Sequence, residues 1–211
     1  MGHARTCPPP PTTIYQLRVV LRGISPLIWR RLLVPADTTL AGLHEILQVV
    51  FGWAGEHLHR FVVHGVDYEA YVGDDRLRLV DLGLRETERF VYDYDFTDFW
   101  RHDLRVEHVL TADAGKRYPR CSGGRRAGPP EDCGGPWAFV ELTEPYRVFA
   151  AISRAAEIIG RLLDDDISIS QLGEQREEMA SLLPWLGLER FDRRAINRAL
   201  GGLGDTERRA A

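Results

Sequence analysis

Asp95, Asp98, Trp100 and His102 fall within one short segment, YDYDFTDFWRH, which runs from Tyr92 to His102. A second acidic pair, Glu131 and Asp132, lies in PPEDCGG. If the two segments meet, their carboxylates and imidazole could share acid–base work or hold a metal-bound water. These six residues form the candidate binding site. A separate donor set, Cys121, Cys133, His57 and His59, offers sulfur and nitrogen to zinc or another divalent metal. It has no compact ligand motif, and no bound cofactor is expected from it.

A purely structural account competes with each of these readings. Alternation places Tyr92, Tyr94 and Phe96 on one face of a strand, with Asp93 and Asp95 on the other. After a turn, His102, Leu104 and Val106 share one parity, and Asp103, Arg105 and Glu107 the other. This is the pattern of a hairpin with an aromatic face and a charged face. In it Asp98 organises the turn, Trp100 is a packing anchor, and Asp93 or Asp95 pairs with a nearby arginine. No catalytic residue is assigned. Nothing local activates Cys121 or Cys133 for chemistry with His102 or His57, and there is no phosphate-binding or dinucleotide loop.

The elements that must carry these residues can be read along the chain. IYQLRVVL alternates as a half-buried strand, and LIWRRLLV is a second strand ended by Pro35. Asp37, Thr38 and Thr39 offer caps to a helix whose apolar side is Leu40, Leu43, Ile46, Leu47 and Val50, with Gly52 as its stop. Strands are expected around Phe61–Val63, over DYEAYV before the charged loop at Asp74 and Asp75, at Arg89–Phe96 and at Trp100–Val109. A long glycine- and proline-rich loop, Thr111–Pro136, precedes a last strand, WAFVEL. Phe149, Ile152, Ala156, Ile159 and Leu163 then outline an amphipathic helix. Another helix carries Leu172, Met179, Leu182 and Leu183 and ends near Pro184, and Asp192 caps a third with Ile196 and Leu200.

This order predicts an α+β fold, a β-grasp-like mixed sheet packed on a helix and followed by a C-terminal helical extension. Residues 1–13 and 201–211 are expected to be disordered tails, 14–148 the α+β core, and 149–200 a helical extension of the same domain.

At 211 residues the chain can bury a substantial core, and 44% hydrophobic with 27% charged residues is an ordinary globular balance. A net charge of −4 gives no global pull toward polyanions. The three cysteines do not make a disulfide framework, and no apolar run is long enough for a membrane span or a secretory leader. A cytoplasmic protein without a membrane partner is expected.

SPLIWRRLLVP, TLAGLHEILQVVFGW, HLHRF, YDYDFTDFWRH, YPRC, PPEDCGG and FDRRAINRAL, in this order, resemble the signatures of the plasmid pRiA4b ORF-3-like family across about Ile14 to Leu200. The resemblance implies a family without an assigned biochemical activity. Some of its members carry TnpR-type resolvase or transposon-associated labels, and some an additional DNA-binding domain. This chain departs at Thr97, where the family commonly has glycine, and at Pro136 and Trp137, where it has Gly-Tyr.

Three functions follow as alternatives. The preferred one is a non-catalytic binding or accessory module for a protein or small ligand, associated with mobile genetic elements through the resemblance. A metal-dependent hydrolase or nuclease requires at least three convergent ligands and an open coordination position. A DNA-binding accessory protein requires Arg30, Arg31, Arg117, Arg120, Arg125, Arg126, Arg193, Arg194 and Arg198 to form one positive surface, with Trp29 or Trp53 stacking on a base.

Overall fold

The computed structural model describes residues 12–69, 76–143, 145–163 and 169–210. The expectations for most of the N-terminal tail and for the loop at Asp74 and Asp75 lie outside them. Strands β1 (Thr13–Leu21) and β2 (Trp29–Pro35) form a hairpin that leads into helix α1 (Leu40–Phe51). Strands β3 (His59–Val63), β4 (Val66–Glu69), β5 (Arg89–Tyr94), β6 (Trp100–Thr111) and β7 (Arg120–Arg125) follow, and then helices α2 (Gly135–Leu142), α3 (Pro145–Leu163), α4 (Ile169–Leu186) and α5 (Arg193–Ala210). The seven strands form one sheet in the order β4-β3-β5-β6-β1-β2-β7. The α+β class is as expected, but each pairing of named strands is antiparallel, so the sheet is not mixed.

The alternation read from the sequence is what builds the core. Tyr15, Leu17, Val19 and Leu21 of β1 are buried, and across the sheet Phe90, Tyr92, Leu104 and Val106 join them. Helix α1 covers this face with Leu40, Leu43, Ile46, Leu47, Val50 and Phe51, each worth roughly 1.5–3 kcal/mol of burial. Of the three candidate caps, Thr39 performs the role: its Oγ1 accepts from Gly42 N at 3.0 Å. Gly52 ends the helix at φ 82°, a left-handed conformation that favours glycine.

Four expectations are corrected. WAFVEL is not a strand but most of α2, with Pro136 in its first turn and Phe139 buried; its β-favouring side chains lose to a start that suits a helix. The supposed loop Thr111–Pro136 contains β7, whose sequence RCSGGR has no apolar alternation and is held by pairing to β2. Helix α3 exists but buries Ala155 and Ile158, leaving Phe149, Ile152, Ile159 and Leu163 exposed. The chain from Gly201 to Ala210, expected as a tail, continues α5.

Helix α5 meets β7 by a specific device. Asn197 accepts from Cys121 N at 2.8 Å and donates to Cys121 O at 2.9 Å, acting as a peptide mimic on the outer edge of the sheet. Asp192 caps the helix as expected, its Oδ1 accepting from Arg194 N and Ala195 N at 3.0 and 2.9 Å. Leu200 of α5 and Leu188 of the α4–α5 connection enter the main core, whereas Ala155 and Ile158 of α3 are buried outside it. Among the described residues no helix is long and apolar enough to cross a membrane.

Candidate functional site

The turn between β5 and β6 is organised by Asp95 more than by Asp98. Asp95 has φ 56°; its Oδ1 accepts from Thr97 N at 2.9 Å and Asp98 N at 3.3 Å, and its own N donates to Leu58 O at 2.9 Å. Strand alternation therefore stops at Tyr94. Phe96 is partly exposed, while Asp95 is only 3% exposed. The left-handed residues are Asp95 and Phe99, not Thr97, so threonine in the glycine position meets no strain. Asp98 reaches across to the PPEDCGG loop, where its Oδ2 accepts from Gly134 N at 3.1 Å.

Asp93 does take the charged face. It lies between Arg60 and Arg101 on the neighbouring strands and accepts from Arg101 Nε at 2.8 Å and Arg60 Nε at 3.1 Å. Burial raises its carboxyl, but the two guanidiniums outweigh this and hold it below the ordinary carboxylate value. Trp100 and His102 are wholly buried and belong to the core rather than to a ligand surface. His102 packs edge-on against Phe51 and Trp53, at ring distances of 4.7 and 5.4 Å.

The two acidic segments meet through residues that the sequence reading did not place in the site. Trp53 is buried against Tyr94, 5.1 Å between rings, and its Nε1 donates to Pro129 O at 2.8 Å. Tyr94 Oη donates to Glu131 Oε1 at 2.7 Å, and Glu131 Oε2 accepts from Ala54 N at 2.7 Å. Burial and this carboxylate push the Tyr94 phenol well up, so it remains a donor at all ordinary pH. The clip brings Asp132 within 3.2 Å of His57 Nε2, while His57 Nδ1 stands 3.9 Å from Asp95 Oδ1.

The anticipated metal set is divided. His57 joins Asp95 and Asp132, whereas His59 stacks on His44 with ring centroids 3.6 Å apart. Cys121 is buried in β7, its Sγ directed to Gly123 O at 3.3 Å. Cys133 is partly buried, and burial with Asp98 pushes its thiol up to about 11, which disfavours thiolate chemistry at neutral pH. Neither cysteine belongs to a group of three or more potential metal ligands among the described residues.

The arginines also separate into two groups. Arg30 is buried and donates to Val50 O, Trp29 O and Arg125 O; Arg31 pairs with Glu107, and Arg126 with Glu189. Trp29 is flanked by Arg18 and Arg31, with guanidinium carbons 5.0 and 5.6 Å from the ring centroid. Together with buried Trp53, this removes both tryptophans as ready stacking platforms. A second group converges. Lys116, Arg117 and Arg120 from the β6–β7 connection and Arg198 from α5 line one cleft of about 750 Å³, with Tyr118 and Asn197. No carboxylate is among the described residues lining it.

These features define an α+β protein with a seven-stranded antiparallel sheet, an acid–histidine corner at one turn and a basic cleft beside an edge strand. The chain belongs to the plasmid pRiA4b ORF-3-like protein family, whose sequence profile matches residues 13–158. It is 35% identical over 141 residues to the uncharacterized protein y4hQ of Sinorhizobium fredii (strain NBRC 101917 / NGR234), a match spanning 63% of this chain and 72% of the relative. It is also similar to the crystal structure of MM3350, a protein of unknown function from Methanosarcina mazei Go1. That match has a TM-score of 0.63 and 29% identity, and covers 87% of this chain and 96% of the other.

Proposed function

We propose that the protein is a non-catalytic binding module that takes the phosphate backbone of nucleic acid into the cleft between the Gly115–Arg120 segment and α5. The observation that carries this reading is the convergence of Lys116, Arg117, Arg120 and Arg198 around one cavity in a chain whose net charge is negative. Lys116 is partly neutralised by Asp113 at 2.9 Å, but among the described residues Arg117 and Arg120 have no ion pair. Guanidiniums suit phosphate because their forked donors can engage two oxygens at once. Asn197 is fixed by its two bonds to Cys121, so the neighbouring Arg198 is carried on an anchored helix turn.

On this reading, an association with mobile genetic elements runs through nucleic-acid contact, without strand cleavage. The expected cytoplasmic location supplies such a ligand and keeps Cys121 and Cys133 reduced. Fluorescence anisotropy with labelled single- and double-stranded oligonucleotides tests it. Binding is expected at about 50 mM salt, with log affinity falling against log salt at a slope near −2 for about three neutralised phosphates on a single strand. R120E and R198E are each expected to weaken binding about tenfold or more, while R89E, on a distant strand, changes it less than about twofold. The proposal fails if binding is absent at low salt or if R120E and R198E behave like R89E.

A further inference from the structure

We propose that His57, Asp95 and Asp132 form a binding site for one divalent transition-metal ion of the zinc or manganese class. One ligand atom from each residue lies within 4.8 Å of the others. The 3.2 Å distance to Asp132 and the 3.9 Å distance to Asp95 are made by opposite ring nitrogens of His57, so the one nitrogen that ligates faces one carboxylate directly and has the other within the 4.8 Å span.

Charge supplies an independent reason. Asp95 is almost fully buried, yet no lysine or arginine among the described residues forms an ion pair with it or with Asp132. The neighbouring acid Asp93, equally buried, has two guanidiniums. Asp95 Oδ1 is held by Thr97 N and Asp98 N, but its charge faces only His57, and a second carboxylate on the same histidine adds negative charge that a divalent ion offsets.

The three ligands are also positioned in advance. His57 comes from the segment after α1, Asp95 from the β5–β6 turn and Asp132 from the PPEDCGG loop. These segments are tied by Trp53 to Pro129, Ala54 and Tyr94 to Glu131, Asp95 to Leu58, and Gly134 to Asp98. Glu131 has both oxygens engaged, so it acts as a positioning residue that sets the backbone beside Asp132. One imidazole and two carboxylates, with no thiolate, suit zinc or manganese better than a soft ion. Three protein ligands leave at least one position open for water or an exogenous ligand.

Calorimetric titration of the chelator-stripped full chain with zinc chloride and manganese chloride tests the site, with Mn²⁺ electron paramagnetic resonance as a second readout. Binding of one equivalent of at least one ion is expected. D132N and H57Q should each weaken it about tenfold or more. Asp132 is largely exposed, so D132N is expected to keep the wild-type melting temperature and to separate ligand loss from misfolding. A C121S/C133S double variant should bind as the wild type does. Absence of binding of both ions at about 100 µM, far above the range of dedicated sites, would overturn the proposal. Retention of affinity in D132N and H57Q, or its loss in the cysteine variant, would do the same.

Discussion

Replacing Gly128 with alanine is expected to destabilise the protein by about 3 kcal/mol, near the upper end of what overpacking costs. A Cβ at this position would stand 2.0 Å from the carbonyl oxygen of Phe51 and 2.9 Å from its carbonyl carbon. These are backbone atoms at the end of α1 and cannot rotate aside. Phe51 is itself fixed, because its ring stacks on Trp53 at 5.2 Å, and Arg30 lies 5.0 Å from its centroid. The loop would have to retreat, stretching the bonds from Ala127 to Leu188 and from Trp53 to Pro129. The same substitution at Gly160 in α3 or Gly173 in α4 meets no atom within 4 Å and removes a helix-weakening residue. There it is expected to stabilise by up to about 1 kcal/mol. Urea unfolding of the three variants measures the contrast, and a G128A midpoint equal to the wild type would refute the packing argument.

Gly128 also illustrates which parts of the protein could be read from residues alone. Helix α1, the first hairpin and the Asp192 cap follow from local rules: apolar periodicity, a hydroxyl or carboxylate at the start, glycine at the stop. The β5–β6 hairpin was legible for the same reason, including the inward Tyr92 and His102 and an aspartate–arginine pair on the charged face, though not that Asp93 rather than Asp95 makes it. Strand β7 was not, since a partner strand and the amide of Asn197 satisfy a backbone whose side chains carry no pattern. The acid–histidine corner was half legible. Asp95, Asp98, Glu131 and Asp132 have the right chemistry, but their convergence depends on bonds spanning 37 residues from Tyr94 to Glu131 and 77 from Ala54 to Glu131. Neither tie leaves a local signature. The sequence places His57 and His59 in one donor set, yet β3 begins only at His59, and His57, in the segment before it, faces the carboxylates.

Acidification from pH 6.5 toward pH 3 is expected to remove several kcal/mol of stability, and His102 is expected to account for a large share of it. Its imidazole is wholly buried, and this pushes its pKa down to about 3. Backbone hydrogen bonding from the Tyr92 and Trp100 side and the charge of Asp93 favour protonation, while Arg30 opposes it. Burial outweighs the favourable contributions because Phe51 and Trp53 wall the ring and Nε2 has no hydrogen-bond partner among the described residues. In the unfolded chain the same group takes a proton near pH 6.5. Between these values the unfolded state binds more protons than the folded state, so stability rises with pH. The contribution is complete above about pH 6.5 and falls by roughly 1.4 kcal/mol per unit below it until the folded group titrates. His44, lowered to about 3 by burial and by stacked His59, acts in the same direction. Replacing His102 with phenylalanine removes one titrating group while keeping a ring of similar size, and at pH 7 is expected to change stability by less than about 1.5 kcal/mol. Urea unfolding at half-unit intervals from pH 4.5 to 7 should give H102F a shallower slope than the wild type by about 1.4 kcal/mol per unit below about pH 6, with the two slopes converging toward pH 7. Parallel slopes would mean that His102 either protonates within the folded core or reaches solvent before unfolding, and would remove it as the source of acid sensitivity.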